Sequence, residues 1–413
     1  MTSTLWFLAI FLADPIPASN WPQWRGPTRD GIVNSNRRWP ESLQGNSLAI
    51  AWKTGKLGPS YSGPLVLADR IITTETVEAK REVVTAYDRK TGKQIWQSKW
   101  DGSMSVPFFA SKNGSWIRST PAADSDCVYV AGIKDVLVAI EHASGKEKWR
   151  LDFVKDLMAT PPDFGFVCSP LVDHSGVYVQ AGGAFHKVDK RTGKVLWTSL
   201  KNGGGMMGSA FSSPAFATIA GKEQIVVQTR TDLAGVDRST GNVIWKRAVP
   251  SFRGMNILSP VVVGNDGVFT STYGGTTQLF KVKSAGGAYE TENGWSFKYE
   301  GNMTTPVVVA GRAYLLGKDR RAICIDLATG QETWRSEQRF GEYWSLVANG
   351  DKILALDNRG ILILLKANAN EFEILDQRKV ADAETWAHLA VCRDEIVVRD
   401  LNGLTVWTWS SKP

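Results

Sequence analysis

Ala86-Tyr87-Asp88-Arg89-Lys90-Thr91-Gly92-Lys93-Gln94-Ile95-Trp96 is the stretch that decides the fold. An alternating run, Val83-Val84-Thr85-Ala86-Tyr87, leads into the acid, and a second short run ends at the tryptophan. Alternation with a period of two marks a half-buried strand. Between the runs, Asp88 and Thr91 carry side chains that bond turn backbone, and Gly92 takes a positive φ without a Cβ penalty. The stretch reads as a β-hairpin.

The hairpin recurs. Acid, glycine and tryptophan return at the same offsets in Glu141, Gly145 and Trp149, then in Asp189, Gly193 and Trp197. They return again in Asp237, Gly241 and Trp245, and in Asp326, Gly330 and Trp334. Two degenerate copies exist. One runs from Lys366 through Asn370 to Ile374, and its asparagine is expected to accept the left-handed turn position. The other ends at Trp295 and carries an insertion around Gly286-Gly287.

Upstream of each hairpin lie two more strand-like runs. The first opens at a small residue followed by proline: Gly63-Pro64, Thr120-Pro121, Ser169-Pro170, Ser213-Pro214, Ser259-Pro260 and Thr305-Pro306. Proline is acceptable at the first residue of a strand. Each period therefore holds four short antiparallel strands, A to D from the inside out. Four-stranded units repeating every 40–50 residues or so are the mark of a β-propeller. Eight A strands, near Leu65, Ala122, Leu171, Ala215, Val261, Val307, Leu346 and Leu389, predict an all-β, eight-bladed propeller. The last unit supplies only three strands. The missing fourth is expected to be Leu48-Ala49-Ile50-Ala51-Trp52, with Trp52 in the outer-strand role, closing the ring and removing an open sheet edge.

The 413 residues carry 48 Lys plus Arg against 41 Asp plus Glu, a net +7, without a basic block. That excess bears on solubility and excludes a nucleic-acid binder of the usual kind. Leu5 to Ala13 form an apolar run too short to span a bilayer, which needs about 20 residues. They fit a signal-peptide core with an exit near Pro17-Ala18-Ser19, although no Lys or Arg precedes the run. The expected organisation is a signal peptide over 1–19, an N-terminal arm over 20–46 and the propeller over 47–413. The expected location is the periplasm or beyond, with no transmembrane segment. No cysteine follows the apolar run to hold a lipid anchor. Cys127, Cys168, Cys324 and Cys392 form no C-x-x-C pair, and they read as small buried hydrophobes.

The repeat resembles that of the pyrroloquinoline-quinone-like (PQQ-like) propellers, roughly A-x-D-x-x-T-G-x-x-x-W. Ala86, Asp88, Thr91, Gly92 and Trp96 match it fully. The resemblance covers about residues 47–410. Asn20-Trp21-Pro22-Gln23-Trp24-Arg25-Gly26-Pro27 also looks like the start of mature, secreted bacterial members. In the family the repeat tryptophan docks on the neighbouring blade. The resemblance therefore implies a structural role for Trp52, Trp96, Trp149, Trp197, Trp245, Trp295 and Trp334. It implies one of two functions, a quinoprotein dehydrogenase or a non-enzymatic scaffold such as the BamB-like component of outer-membrane assembly. A quinoprotein would need PQQ, a calcium site rich in carboxylates and, usually, an adjacent-cysteine disulfide. This chain has no Cys-Cys pair, lacks the large insertions of the enzymes, and has hydroxyl residues at the A-strand starts. No cofactor is expected. PQQ with calcium, or another small ligand such as a carbohydrate in the central funnel, is the alternative.

The expected working surface is the face that carries the D–A and B–C loops. Its D–A loops are long and hold Met104, Phe109, Arg118, Phe164, Met206, Met207, Arg253 and Met255. Arg320 lies in a B–C loop, and Trp344, Trp386 and His388 lie at or near A-strand starts. Adaptable methionine and aromatic side chains ringed by arginine suit the capture of a protein or peptide. The competing expectation is that these loops fold down and plug the funnel. His142, His174 and His186 have no base or nucleophile at motif spacing, and no phosphate-binding loop is present. The chain is expected to act as a monomeric, non-enzymatic scaffold in the cell envelope.

Overall fold

The computed structural model describes residues 20–33, 37–108, 114–205, 208, 210–297, 301 and 303–410. The expected leader over 1–19 lies outside them, as do Phe109, Met206 and Met207. The chain forms eight four-stranded antiparallel sheets. Seven are simple meanders in sequence order. In the eighth, the strand Leu48–Lys53 joins the outer edge of the last three strands. It pairs with Gly403–Trp409 in a register running from Leu48 opposite Trp409 to Lys53 opposite Thr405. Together the eight sheets make the predicted eight-bladed propeller, closed by the N-terminal strand.

The repeat motif explains both the hairpin and the joint between blades. In the first turn, Asp88 Oδ1 accepts from the Thr91 amide at 2.8 Å and from the Thr91 hydroxyl at 2.7 Å. Asp189 and Asp237 repeat the pattern with Thr192 and Thr240. Gly92 has φ +69°, and a Cβ there would lie 2.7 Å from the Trp52 ring. The glycine thus serves two ends, the left-handed turn and the seat for a tryptophan of the preceding blade. Trp52 Nε1 donates to the Arg89 carbonyl at 2.9 Å, so the ring-closing joint is made like the others. Trp96 reaches the His142 carbonyl, Trp149 that of Lys190, Trp197 that of Arg238, Trp295 that of Leu327 and Trp334 that of Asn368.

Two copies depart from the expectation. Trp245 still packs on Phe280 of the next blade, with ring centroids 5.7 Å apart, but its Nε1 donates to Gln224 Oε1 in its own blade at 2.6 Å. The next blade's C–D hairpin is the long Thr277–Ala285 and Ala288–Phe297 pair with the Gly286-Gly287 insertion, so no repeat turn meets it. Asn370 does not adopt a positive φ. In its turn the Lys366 amide reaches to the Glu373 carbonyl, a longer closure than Asp88 to Lys93, which removes the need for a left-handed residue.

Candidate functional site

The eight inner strands surround an axial channel, and the chain itself fills it. The arm enters beside blade 1, where Trp21 forms a bridge with Val66, and the Ala123 amide of blade 2 donates to the Pro22 carbonyl. It leaves along blade 7, where Ile32 pairs with Ala348. Between these points Arg25 and Arg29 are buried. Arg25 donates to the carbonyls of Thr305 at 2.7 Å and Pro306 at 2.6 Å. Arg29 donates to the carbonyls of Ser169 at 3.2 Å and Pro214 at 2.7 Å, and also to that of Pro170. Its Nε donates to Gln23 Oε1 at 3.0 Å. Burial lowers the Arg25 pKa to about 10 and that of Arg29 to about 9, so both remain cations at neutral pH. Main-chain carbonyls, not carboxylates, compensate the Arg29 charge.

The small residues before each proline form a belt around the funnel side of this plug. The amide of Gly63 donates to the hydroxyl of Thr120, and Thr120 to that of Ser169. The amide of Ser169 then donates to the Ser213 hydroxyl, Ser213 to Ser259, and Ser259 to Thr305. The Leu389 amide donates to the Ser345 hydroxyl. Each bond runs from one blade to another, so these hydroxyls tie the inner ring. The sequence had marked them only as strand starts.

Above the belt lies a funnel of about 500 Å³. Trp24 of the arm lines it, beside His388, with ring centroids 6.1 Å apart in an edge arrangement. One wall is Tyr61, Tyr343 and Trp386, the last two stacked at 6.0 Å and 17°. The other side carries Phe164, Phe211, Met255 and Met303. Three arginines line the cavity. Arg118 lies over the Tyr61 ring at 5.5 Å, and Arg230 over the Phe211 ring at 4.6 Å. Arg253 sits at the rim in the left-handed region, φ 51°, next to the exposed Phe252. Burial pushes the His388 pKa down to about 3, with Arg25 adding to the shift, so this imidazole is neutral at physiological pH.

Of the residues expected at this face, Arg118, Phe164, Arg253, Met255, Trp386 and His388 all line the funnel. Met104 does not line it and packs beside Gly165. Arg320 is exposed and pairs with Glu342, a lining residue, at 2.8 Å. Trp344 is a correction. It is buried in the core, 4.5 Å from the Phe340 ring, and its Nε1 donates to Asp357 Oδ2 at 3.2 Å. Tyr343 before it faces the funnel, so the alternation of the chain turns Trp344 away. The arm closes the inner end of the funnel, and the described residues of the D–A loops line its walls. Trp24, Tyr61, Tyr343 and the two plug arginines were missed. The dense Trp21-Pro22-Gln23-Trp24-Arg25-Gly26-Pro27 stretch, standing outside the repeat, was the available signal.

The family described as outer membrane protein assembly factor BamB matches residues 80–336. The chain belongs to this BamB family. The protein of that name from Yersinia pestis is 22% identical over 365 residues, which are 86% of this chain and 84% of that protein. The crystal structure of BamB from Moraxella catarrhalis superposes with a TM-score of 0.61 at 15% identity, covering 87% of this chain and 99% of that one. A europium-containing methanol dehydrogenase has the same fold, with a TM-score of 0.53 at 13% identity over 94% of this chain and 90% of that one.

The propeller fold is thus shared by BamB proteins and quinoprotein dehydrogenases, and the lining decides which ligand chemistry this funnel suits. A calcium-held quinone needs several convergent oxygen ligands for the cation. Among the described residues no three His, Cys, Asp or Glu side chains converge in this way. Among the described residues Glu342 is the one carboxylate that lines the funnel, and Arg320 pairs with it. The donor set here is hydroxyl, guanidinium and aromatic, which does not fit the quinone and its metal. No described helix is long and apolar enough to cross a membrane.

Proposed function

We propose that the chain is an exported, non-enzymatic scaffold that holds a protein partner of the cell envelope on the face bearing the D–A and B–C loops. The observation that carries this reading is the funnel itself: aromatic walls and guanidinium groups, closed from within by Trp24. Aromatic and arginine side chains in a desolvated pocket are the usual anchors of a protein interface. Membership of the BamB family supports an assembly role at the outer membrane. The Leu5 to Ala13 run supports export. The chain works as a monomer, with Arg118, Phe164, Arg253, Met255, Trp386 and His388 as the contact surface, and with no cofactor.

The test compares two charge reversals. Arg253→Glu with Phe252→Ser alters the funnel rim, and Lys93→Glu alters the opposite turn face. Both sites are exposed, so each variant keeps the parent melting temperature to within the effect of about ±0.5 kcal/mol usual for surface changes. Only the rim variant loses its partners in a pull-down from envelope extract. Equal loss from both places the surface elsewhere.

A further inference from the structure

The funnel has a closed inner end. Trp24 lines it, and behind Trp24 the arm is bonded to the inner strands through Arg25 and Arg29. A polypeptide cannot pass along the axis, so it enters either as a chain end or as a folded-back loop. A loop brings two backbones about 5 Å apart, each with amides and carbonyls to satisfy. Much of the wall is apolar, and the hydroxyls of Thr120, Ser169, Ser213, Ser259 and Thr305 already accept from neighbouring amides, which leaves few partners for a second backbone. A chain end brings one backbone and its own charge.

The charge in the cavity favours one kind of end. Arg118 Nη2 donates to the Gly114 carbonyl, while its Nε is buried without a partner. No carboxylate forms an ion pair with Arg118 among the described residues, and burial lowers its pKa. The Phe164 and Phe211 rings flank Arg230, at 5.8 and 4.6 Å. A cation held in such surroundings gains from a ligand carboxylate, since charge-assisted hydrogen bonds are about twice as strong as neutral ones. An amino terminus would add a further like charge to the guanidiniums of Arg118, Arg230 and Arg253.

We infer that the funnel captures the C-terminal end of a partner polypeptide, with its carboxylate on Arg118 and a bulky apolar last side chain against Trp24, Phe164 and Trp386. The inference rests on the proposed partner-binding role of this face and names what the face recognises.

The probe is a set of peptides Gly-Ser-Gly-Ser-X, labelled with fluorescein at the amino end, with X as Phe, Leu, Trp or Ser. Each is made as the free acid and as the C-terminal amide, and binding to the full chain is followed by anisotropy. The apolar acids bind at least about tenfold more tightly than their amides. Arg118→Gln abolishes that difference while the melting temperature stays near that of the parent. Equal binding of acid and amide overturns the inference, as does absence of binding up to about 5 mM. Two controls also decide. A peptide with the same apolar residue beside an internal Asp, amidated at its end, binds as well if a loop is the true occupant. Benzoate binds as well if the cavity is a small-molecule site. The pull-down with Arg253→Glu and Phe252→Ser separates the two claims. Rim-dependent capture without acid preference removes only the C-terminal inference, and loss of both removes the face as well.

Discussion

Arg25 donates to the carbonyl of Thr305 at 2.7 Å, joining residues 280 positions apart. With Arg29 on the carbonyls of Ser169 and Pro214, it makes the arm part of the propeller axis. Losing one of these guanidiniums leaves several buried carbonyls without a donor. Arg29→Met is therefore expected to lower unfolding free energy by about 3 kcal/mol, since hydrogen bonds to a charged group are worth roughly 1.5–3 kcal/mol each. Chemical denaturation of the purified variant measures it. A change below about 0.5 kcal/mol, the level of an ordinary surface substitution, contradicts the plug.

The ring closure predicts a second loss. Trp52 is buried against the Gly92 turn and Tyr87, 6.0 Å away between ring centroids. Trp52→Ala is expected to cost about 3–5 kcal/mol, the usual range for a large buried aromatic. A truncation beginning after Lys53 removes the whole outer strand of the last blade and is expected to melt lower still. If that truncation melts with the parent, the closure contributes nothing.

These two cases show why one part of the molecule was legible in the sequence and another was not. Trp52 could be placed because six other tryptophans stand at the same point of a repeat, and at five of the joints, its own included, the glycine that receives the ring belongs to the same motif. Arg25 and Arg29 have no counterparts in the repeat. Their partners are main-chain carbonyls on distant blades, and a carbonyl leaves no mark on the residue type that carries it. The loop residues around the funnel were found by chemical asymmetry, and Arg118, Phe164 and Trp386 do line it. Trp344 was assigned to the same surface because neighbouring positions on a strand differ in face, and a single residue of phase decides between Tyr343 in the cavity and Trp344 in the core.

Glu82 makes the stability depend on pH. It is fully buried, accepting from the Ile133 amide and from Trp100 Nε1, both at 2.7 Å, and burial pushes its pKa up to about 7. Between its unfolded pKa near 4.5 and this value, the folded chain holds a proton that the unfolded chain releases. Its contribution is therefore fully present below about pH 4.5 and is lost as pH rises through 7. Asp135, which accepts from the Gly182 amide, shifts in the same direction for the same reason. His186 and His388, both lowered by burial, oppose this trend below about pH 6.5. Comparison with Glu82→Gln isolates the glutamate. From pH 4.5 to 8 the stability difference should move in favour of the variant by up to about 3 kcal/mol. A difference that does not vary with pH contradicts the assignment.

The lining predicts no quinone chemistry. Pyrroloquinoline quinone titrated with calcium into the full chain should give no saturable change in absorbance, and alcohols and sugars should reduce no dye. Saturable one-to-one binding with dye reduction would restore the dehydrogenase reading.

The central claim is that the funnel face holds a protein partner, and a photo-crosslinker tests it most directly. Benzoylphenylalanine is placed at Trp386 in one variant and at Lys93 on the opposite face in another, and each is irradiated in intact cells. The account predicts a discrete crosslinked protein from position 386, absent from position 93 and lost when Arg253→Glu is added. A product from position 93 alone, or from both positions with no effect of Arg253→Glu, would contradict it.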